Sequence, residues 1–383
     1  MGHRTKTASL SAAIIVASSV AFTAYAQRDE SFVGVTTDGH VVPRVFAIES
    51  TGVSTAPYIE ATQGLLELLD GAQRDAISFP VDGDQWREWS NTHRAPRRGL
   101  SFEDMNKVQA AAAFDMLATA LSAKGLKTTR DIMRLNAHLA WLTGRDGEYG
   151  EQLYWLAIMG TPSPTEPWGW QLEGHHLIVN CFVLGDQVVM TPTFLGSEPV
   201  YADDGPYAGT RVLQAEEQQG LSFVRSLSDE QWRRASLGDK HGNTILAQAN
   251  SDNVTIPYAG IRATELTAEQ RDQFVELIAE YVGNMKEDHA AVRMAEIVEH
   301  LDDTWFAWVG ATDDDAIFYY RIQSPVVLIE FDHQRPIALR ELGYTARDHI
   351  HSVTRTPNGN DYGKDLLRQH YERFQDDLTH GHD

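Results

Sequence analysis

Apolar positions along the chain switch between two periods. In IEATQGLLELLDGAQRDAI, Ile59, Leu65, Leu66 and Leu69 fall on one helical face, after a stretch from residue 27 to 57 in which Val and Ile are scattered among Thr, Gly and Ser. Three further helix starts share one grammar. Ser101–Asp104, Ser228–Gln231 and Thr267–Gln270 each place a hydroxyl at the first position and an acid or amide three residues on, the pattern that satisfies the free N–H groups of a first turn. The first predicts a helix with Phe114, Leu117 and Leu121 on one side, and the third a helix with Phe274, Leu277, Ile278 and Tyr281 on one side. Gly125 and Gly283 stand where these helices are expected to stop. A second helical stretch follows each, over 129–143 and 286–301.

After both helix pairs the period shortens to that of strands, and the two regions resemble each other. YWLAIMG (154–160) matches TWFAWVG (304–310), and WGWQLEGHHLIVNCF (168–182) faces FYYRIQSPVVLIEFD (318–332) at the same spacing of 150 residues. Trp155 meets Trp305, Gly160 meets Gly310, Trp170 meets Tyr320, and Asn180 meets Glu330. Self-similarity at a fixed spacing predicts a duplicated supersecondary unit, two helices followed by a β meander. The expected fold is therefore α+β, with two related halves (about 100–200 and 266–333) in one compact domain spanning 58–383. Residues 27–57 are read as a loose lead-in, and 334–383 as a C-terminal motif region.

Composition narrows the class. The chain has 383 residues, a formal charge of −22 and a single cysteine, Cys181. Arg4 and Lys6 precede the apolar SAAIIVASSVAFTAYA, which ends in Ala24-Tyr25-Ala26 and reads as a signal peptide over 1–26. Export to the periplasm or the extracellular space is the expectation, with no stable membrane insertion after cleavage. Losing those two cations takes the charge from −22 to −24. A chain this acidic is not expected to bind nucleic acid, since that affinity rests on lysine and arginine at phosphates. One cysteine allows no internal disulfide, and in its apolar strand Cys181 reads as a small buried hydrophobe.

The candidate chemistry is histidine-rich. His175 and His176 are adjacent in what reads as a buried strand, where neighbouring side chains point to opposite faces, so one is expected to enter a site and the other to pack. Gly174 before them permits a bulge. His349 and His351 are two apart, so an extended segment puts both imidazoles on one side, a chelating arrangement. Glu330 and Asp332 have the same spacing, and Asp361 follows in the turn-rich RTPNGNDYG. The proposed metal ligands are thus His176 (or His175), His349 and His351, with a carboxylate from Glu330, Asp332 or Asp361, a set suited to zinc, copper or iron. His370, on the helix DLLRQHYERF, or a spare carboxylate is placed as general base. Asn180 is placed as an orienting or charge-stabilising group, and Arg355 as an anion binder or a tie to acidic neighbours. EPWGWQ (166–171) either walls a pocket or caps the core, and Arg97 and Arg98 either greet an anion or pair with acids. No GxSxG, P-loop, HExxH or CxxC occurs.

The motifs RRGL (97–100), WGWQLEGHHLIVN (168–180), TPTFLGSEP (191–199), YRIQSPVVLIEFDH (320–333) and HIHSVTRTPNGNDYG (349–363), leading into DLLRQHY, resemble those of a family of secreted bacterial and fungal proteins, domain of unknown function 3500. The resemblance implies that these motifs belong to one domain, which favours a shared site. The functional expectation is an exported metal-dependent enzyme acting on a small molecule, a hydrolase with a metal-activated water. A non-catalytic small-ligand or metal-binding protein, and a copper or iron oxidoreductase on the same ligands, are the alternatives.

Overall fold

The computed structural model describes residues 31–239 and 245–380, without the side chains of 374–380. The signal peptide read from the sequence lies outside the described residues. Among those described, no helix is long and apolar enough to cross a membrane. The elements come in two parallel series. The first runs α1 (Ala56–Leu68), α2 (Gly71–Ile77), β1 (Ser78–Phe79), β2 (Leu100–Ser101), α3 (Lys107–Ala120), α4 (Ala123–Thr143), β3 (Tyr154–Met159), β4 (Trp168–Gly174), β5 (Leu177–Leu184), β6 (Gln187–Val189) and β7 (Thr193–Ser197). The second runs α5 (Gln214–Ser226), α6 (Asp229–Ala235), β8 (Ile261–Arg262), α7 (Ala268–Val282), α8 (Glu287–Glu299), β9 (Trp305–Gly310), β10 (Phe318–Gln323), β11 (Leu328–His333) and β12 (Ile350–Arg355). The helix α9 (Lys364–His380) follows. The protein is thus α+β, built on one large mixed sheet.

That sheet has the order β1-β3-β4-β5-β7-β12-β11-β10-β9-β8, with β2 beside β3 and β6 beside β5. From the central antiparallel pair β7–β12, the strands therefore run outward in matching sequence on both sides. The 150-residue spacing also holds in the register. Ala157 pairs with Gln171 and Gln171 with Asn180, while Ala307 pairs with Arg321 and Arg321 with Glu330. At the centre, Thr193 pairs with Thr354.

The helices repeat the same correspondence in their caps. Asp70 and Asn106 cap α2 and α3 in reciprocal boxes with Gln73 and Gln109, and Ser228 and Thr267 cap α6 and α7 with Gln231 and Gln270. Gln73 donates to Gln109 and to the Asp104 carbonyl, and Gln109 donates to the Leu68 carbonyl. Gln231 donates to Gln270 and to the Glu265 carbonyl, and Gln270 to the Ser226 carbonyl. Each glutamine thus closes its own helix start and binds a carbonyl at the end of a neighbour. One predicted start moves. Ser101 caps only a short 3₁₀ turn, Phe102–Asp104, because Leu100 and Ser101 are drawn into pairing with β3, and the helix proper begins after Asn106.

Gly125 does not end a helix; it lies in the first turn of α4. There the two helix hairpins meet. Leu121 bridges Met285, Ser122 N donates to Asn284 O at 3.1 Å, and Lys286 N donates to Ala120 O at 2.8 Å. A Cβ on Gly125 would stand 2.1 Å from the Asn284 carbonyl oxygen. Gly125→Ala is therefore expected to destabilise by about 1–3 kcal/mol through overpacking, outweighing the gain of up to about 1 kcal/mol that alanine brings to a helix interior. Chemical denaturation measures it, and a stabilised variant would rule out this close approach.

The lead-in is not loose from Val33 onward. Thr36 bridges Thr255, Val33 N donates to Asn253 Oδ1, and Asp186 accepts from Ser50, Thr51 and Gly52. Val33–Asp383 forms one compact unit. The central strands divide their side chains between two environments. Val179, Leu195, Ser352 and Thr354 face the helix layer, while Asn180, Phe194, His351, Val353 and Arg355 face the loops that cover the other side.

Candidate metal centre

The histidines His175 and His176 are not in a strand. They are the two residues of the tight turn joining β4 to β5, and His176 takes a left-handed backbone, φ 61°. A turn removes the alternation that would have separated them, so the two rings stack with centroids 3.9 Å apart. The turn is tied on three sides. His176 N donates to Asn91 O at 3.1 Å, Gly196 N donates to His176 O at 2.8 Å, and the Tyr154 hydroxyl donates to His175 O at 3.0 Å. His175 Nδ1 is bonded to Asn136 Oδ1 at 2.8 Å, so this ring supports His176 from behind.

His176 then meets His351 of the last strand and His349 just before that strand. His349 Nε2 lies 3.2 Å from His176 Nε2 and 2.9 Å from His351 Nε2. Among the described residues these three form the group whose donor atoms converge closely enough to hold a metal ion, all within 4.8 Å of one another. His351 reaches the point as the first inward residue of β12, opposite Gly196, whose missing side chain leaves room: a Cβ there would stand 2.9 Å from the His351 ring. His349 Nδ1 lies 2.9 Å from Arg335 O and 3.6 Å from the buried Glu198 carboxylate. A proton on Nδ1 donating to that carbonyl leaves Nε2 bare, the tautomer a metal ligand needs. Two Nε2 edges of 2.9 and 3.2 Å approach the N···N separation of about 3.3 Å that zinc–nitrogen bonds of about 2.0–2.1 Å give in a tetrahedron. Without a cation, His176 and His351 would each have to donate to the same bare His349 nitrogen. A bound cation would replace both protons.

Burial holds these rings neutral. It pushes His175, His176 and His351 well below the ordinary histidine range, aided by repulsion between the neighbouring imidazoles. His349 is lowered as well, mainly by burial, with Glu198 and the Arg335 carbonyl pulling the other way. The unfolded chain takes up protons on these side chains below a pH of about 6.5, while the folded chain resists them. Their contribution to stability is complete above that pH and is lost as pH falls. Each histidine accounts for up to about 1.4 kcal/mol per pH unit. For chelator-treated protein the urea midpoint is expected to drop between pH 7.5 and 5.5, and a flat midpoint would contradict neutral burial.

The other expected ligands do not join. Glu330 accepts from the Leu246 and Ala247 amides and the Tyr319 hydroxyl at 3.0, 2.8 and 2.6 Å. Asp332 is the cross-strand neighbour of His351, but its carboxylate accepts from Gln334. Asp361 accepts from Thr356 N at 2.7 Å and from Arg355 at 3.2 Å. Arg355, fully buried, donates to Ala247 O, Gln248 O, Asp252 and Asp361, so it ties loops together and holds no external anion. Asn180 is bonded to Gln171 and Pro192 O, and His370 sits on α9 with Nε2 3.4 Å from Glu166. Arg97 pairs with buried Glu173 and Arg98 with Glu88. Trp168 and Trp170 are core residues of β4. Sequence reasoning missed Glu198, Asn136 and Asp252. Glu198 lies in the TPTFLGSEP motif, a signal that could have nominated it, whereas nothing local marks Asn136 or Asp252.

Fold and site together define an α+β protein with a buried three-histidine centre shared between its two strand series. The model of a family described as "Protein of unknown function (DUF3500)" matches residues 51–364, and the chain belongs to that family. No curated protein and no solved structure matches the chain.

Proposed function

We propose that His176, His349 and His351 hold a divalent transition metal, zinc foremost, and that the protein is an exported metal-dependent hydrolase of a small molecule. The observation that carries this reading is the convergence of three neutral imidazole nitrogens, with no fourth histidine, cysteine or carboxylate in the group among the described residues. Structural zinc sites close all four positions with protein, whereas catalytic ones keep a position for water or substrate. When bound, such a metal lowers the pKa of its water and polarises the scissile bond. The chain's own residues do the positioning. The Arg335 carbonyl and Glu198 orient His349, and His175, held by Asn136, orients His176. Glu330, Asp332 and Asp361 stand outside this scheme, which leaves copper or iron redox chemistry available to the same three nitrogens. The matching strand order and the paired glutamine caps support reading the chain as two copies of one duplicated unit, with His176 from one copy and His349 and His351 from the other.

The burial of the cluster favours a second reading, a protein that binds metal without turnover, since His176 and His351 keep only 6% and 7% of their surface accessible. The two readings separate on activity. Zinc-loaded protein is incubated with a panel of small ester, amide and phosphoester substrates. Hydrolysis that follows metal content and disappears in His349→Ala supports the hydrolase; a stoichiometric metal with no turnover on any of them favours the binding protein.

A further inference from the structure

A cavity of about 800 Å³ lies between the helix layer and the middle of the sheet, on the face opposite His351. Its size falls in the range of small-molecule pockets. The lining is unlike a core. Thr193, Ser352 and Thr354 form its floor, and Leu121 and Met285 line the helix side where the two hairpins bridge. Central strands of a buried sheet ordinarily carry Val, Ile or Leu there, and an empty space of this size would forfeit packing over its whole wall. The floor hydroxyls of Thr193 and Ser352 already donate within the protein, to Met190 O at 2.8 Å and Leu195 O at 3.0 Å.

Two acceptors on the wall are left over. Asn284 donates its amide N–H to Tyr281 O, but its Oδ1 is buried with no partner among the described residues. His289 is hydrogen-bonded to the Ser54 backbone, and its Nε2 is buried and also without a partner there. With Nε2 unpartnered, the Ser54 bond falls to Nδ1, which leaves Nε2 as a bare acceptor. Both side chains are more than nine-tenths buried and both line the cavity. Unpaired buried acceptors are costly unless something donates to them. Of the charged side chains that line it, Arg293 is paired with Glu296 and donates to Val326 O, while Arg44, Glu49 and Glu299 are exposed to solvent, so the buried part of the wall carries its charge as an ion pair. We infer that this cavity is a binding site for a neutral, largely apolar small molecule bearing hydroxyl or N–H donors, distinct from the three-histidine centre.

The probe is bisphenol A, a neutral diphenol, titrated calorimetrically into the metal-loaded full chain, with its dimethyl ether as the donor-free analogue. Saturable one-to-one binding is expected, weakened about tenfold in the ether and about tenfold by His289→Phe or Asn284→Leu, the effect of one lost hydrogen bond. Val292→Trp, which fills the space from α8, is expected to abolish it, and His351→Ala to leave it unchanged. No saturable binding up to about 1 mM, a level of only about 4 kcal/mol, overturns the inference. So does equal affinity for the ether, an arm that needs no variant and so stands even if a substitution unfolds the chain. Binding undiminished in folded Val292→Trp overturns it too.

Discussion

Replacing His351 with alanine is expected to remove the metal. Four-ligand zinc sites bind with apparent free energies of about 10–16 kcal/mol, or about 2.5–4 kcal/mol per ligand. Loss of one of three imidazoles therefore predicts an affinity lower by a factor of about 10²–10³. Two nitrogens from His176 and His349 remain, and the other candidate ligands are engaged elsewhere, Glu330 by two amides and a tyrosine, Asp361 by Arg355. The measurement is metal content by mass spectrometry after dialysis, on untagged protein lacking His380–Asp383, whose two histidines would otherwise bind metal adventitiously. His370→Ala is the control and should keep a full equivalent, because that side chain sits beside Glu166 on α9. A His351→Ala protein that retains its metal, or a wild-type protein that takes up none, would remove the basis of the proposed centre.

The second large effect concerns stability. Arg355→Met is expected to destabilise the fold by about 3–5 kcal/mol, the usual consequence of removing one partner from a buried ion pair. The guanidinium is fully buried over the Trp89 ring, 5.4 Å from its centroid, and bonds Asp252 at 3.0 Å and Asp361 at 3.2 Å. Burial already pushes Asp361 up to about 6 with the arginine in place. Without it the carboxyl must climb further and take a proton. A carboxyl raised above its unfolded value contributes stability at low pH and loses it as pH rises. The gap between wild type and variant should therefore narrow from pH 7.5 to 5.5, and a gap that widens on acidification would contradict the role of Asp361. Arg355→Lys keeps the charge but not the bonds to Ala247 O and Gln248 O, and is expected to fall between the two.

The α+β class, the two strand series and their spacing were legible because strand alternation and paired tryptophans survive at corresponding positions, and the register preserves them. The His349–His351 pair was legible for the same reason, since an i, i+2 spacing in an extended segment has one geometric outcome. His175 and His176 were misread because the apolar run after them carries the period of a strand, while the decisive feature is a two-residue turn in which a histidine accepts a positive φ. Carboxylates were over-assigned. Residues 330, 332 and 361 look like ligands when only spacing is visible, yet backbone amides, the Gln334 side chain and Arg355 claim them. The amides that claim Glu330 come from residues 246 and 247, far away in sequence and without periodic signal, whereas Gln334, Arg355 and Thr356 lie within six residues of the carboxylates they bind.

The outward-matching strand order has a consequence for how the chain folds. Each meander, β3–β4–β5 or β9–β10–β11, joins neighbours in sequence, whereas Thr193 and Thr354 in the central pair are 161 residues apart. Closing that long loop comes with an entropic penalty that local hairpins avoid, so the two meanders are expected to form before the seam between them. His176 belongs to one side of that seam and His349 and His351 to the other, so the proposed ion would act as a latch that engages only after the seam has closed. In stopped-flow refolding with cobalt(II), the visible band of the bound metal should then rise no earlier than the slowest step of sheet formation, and a band that leads it would place the seam first.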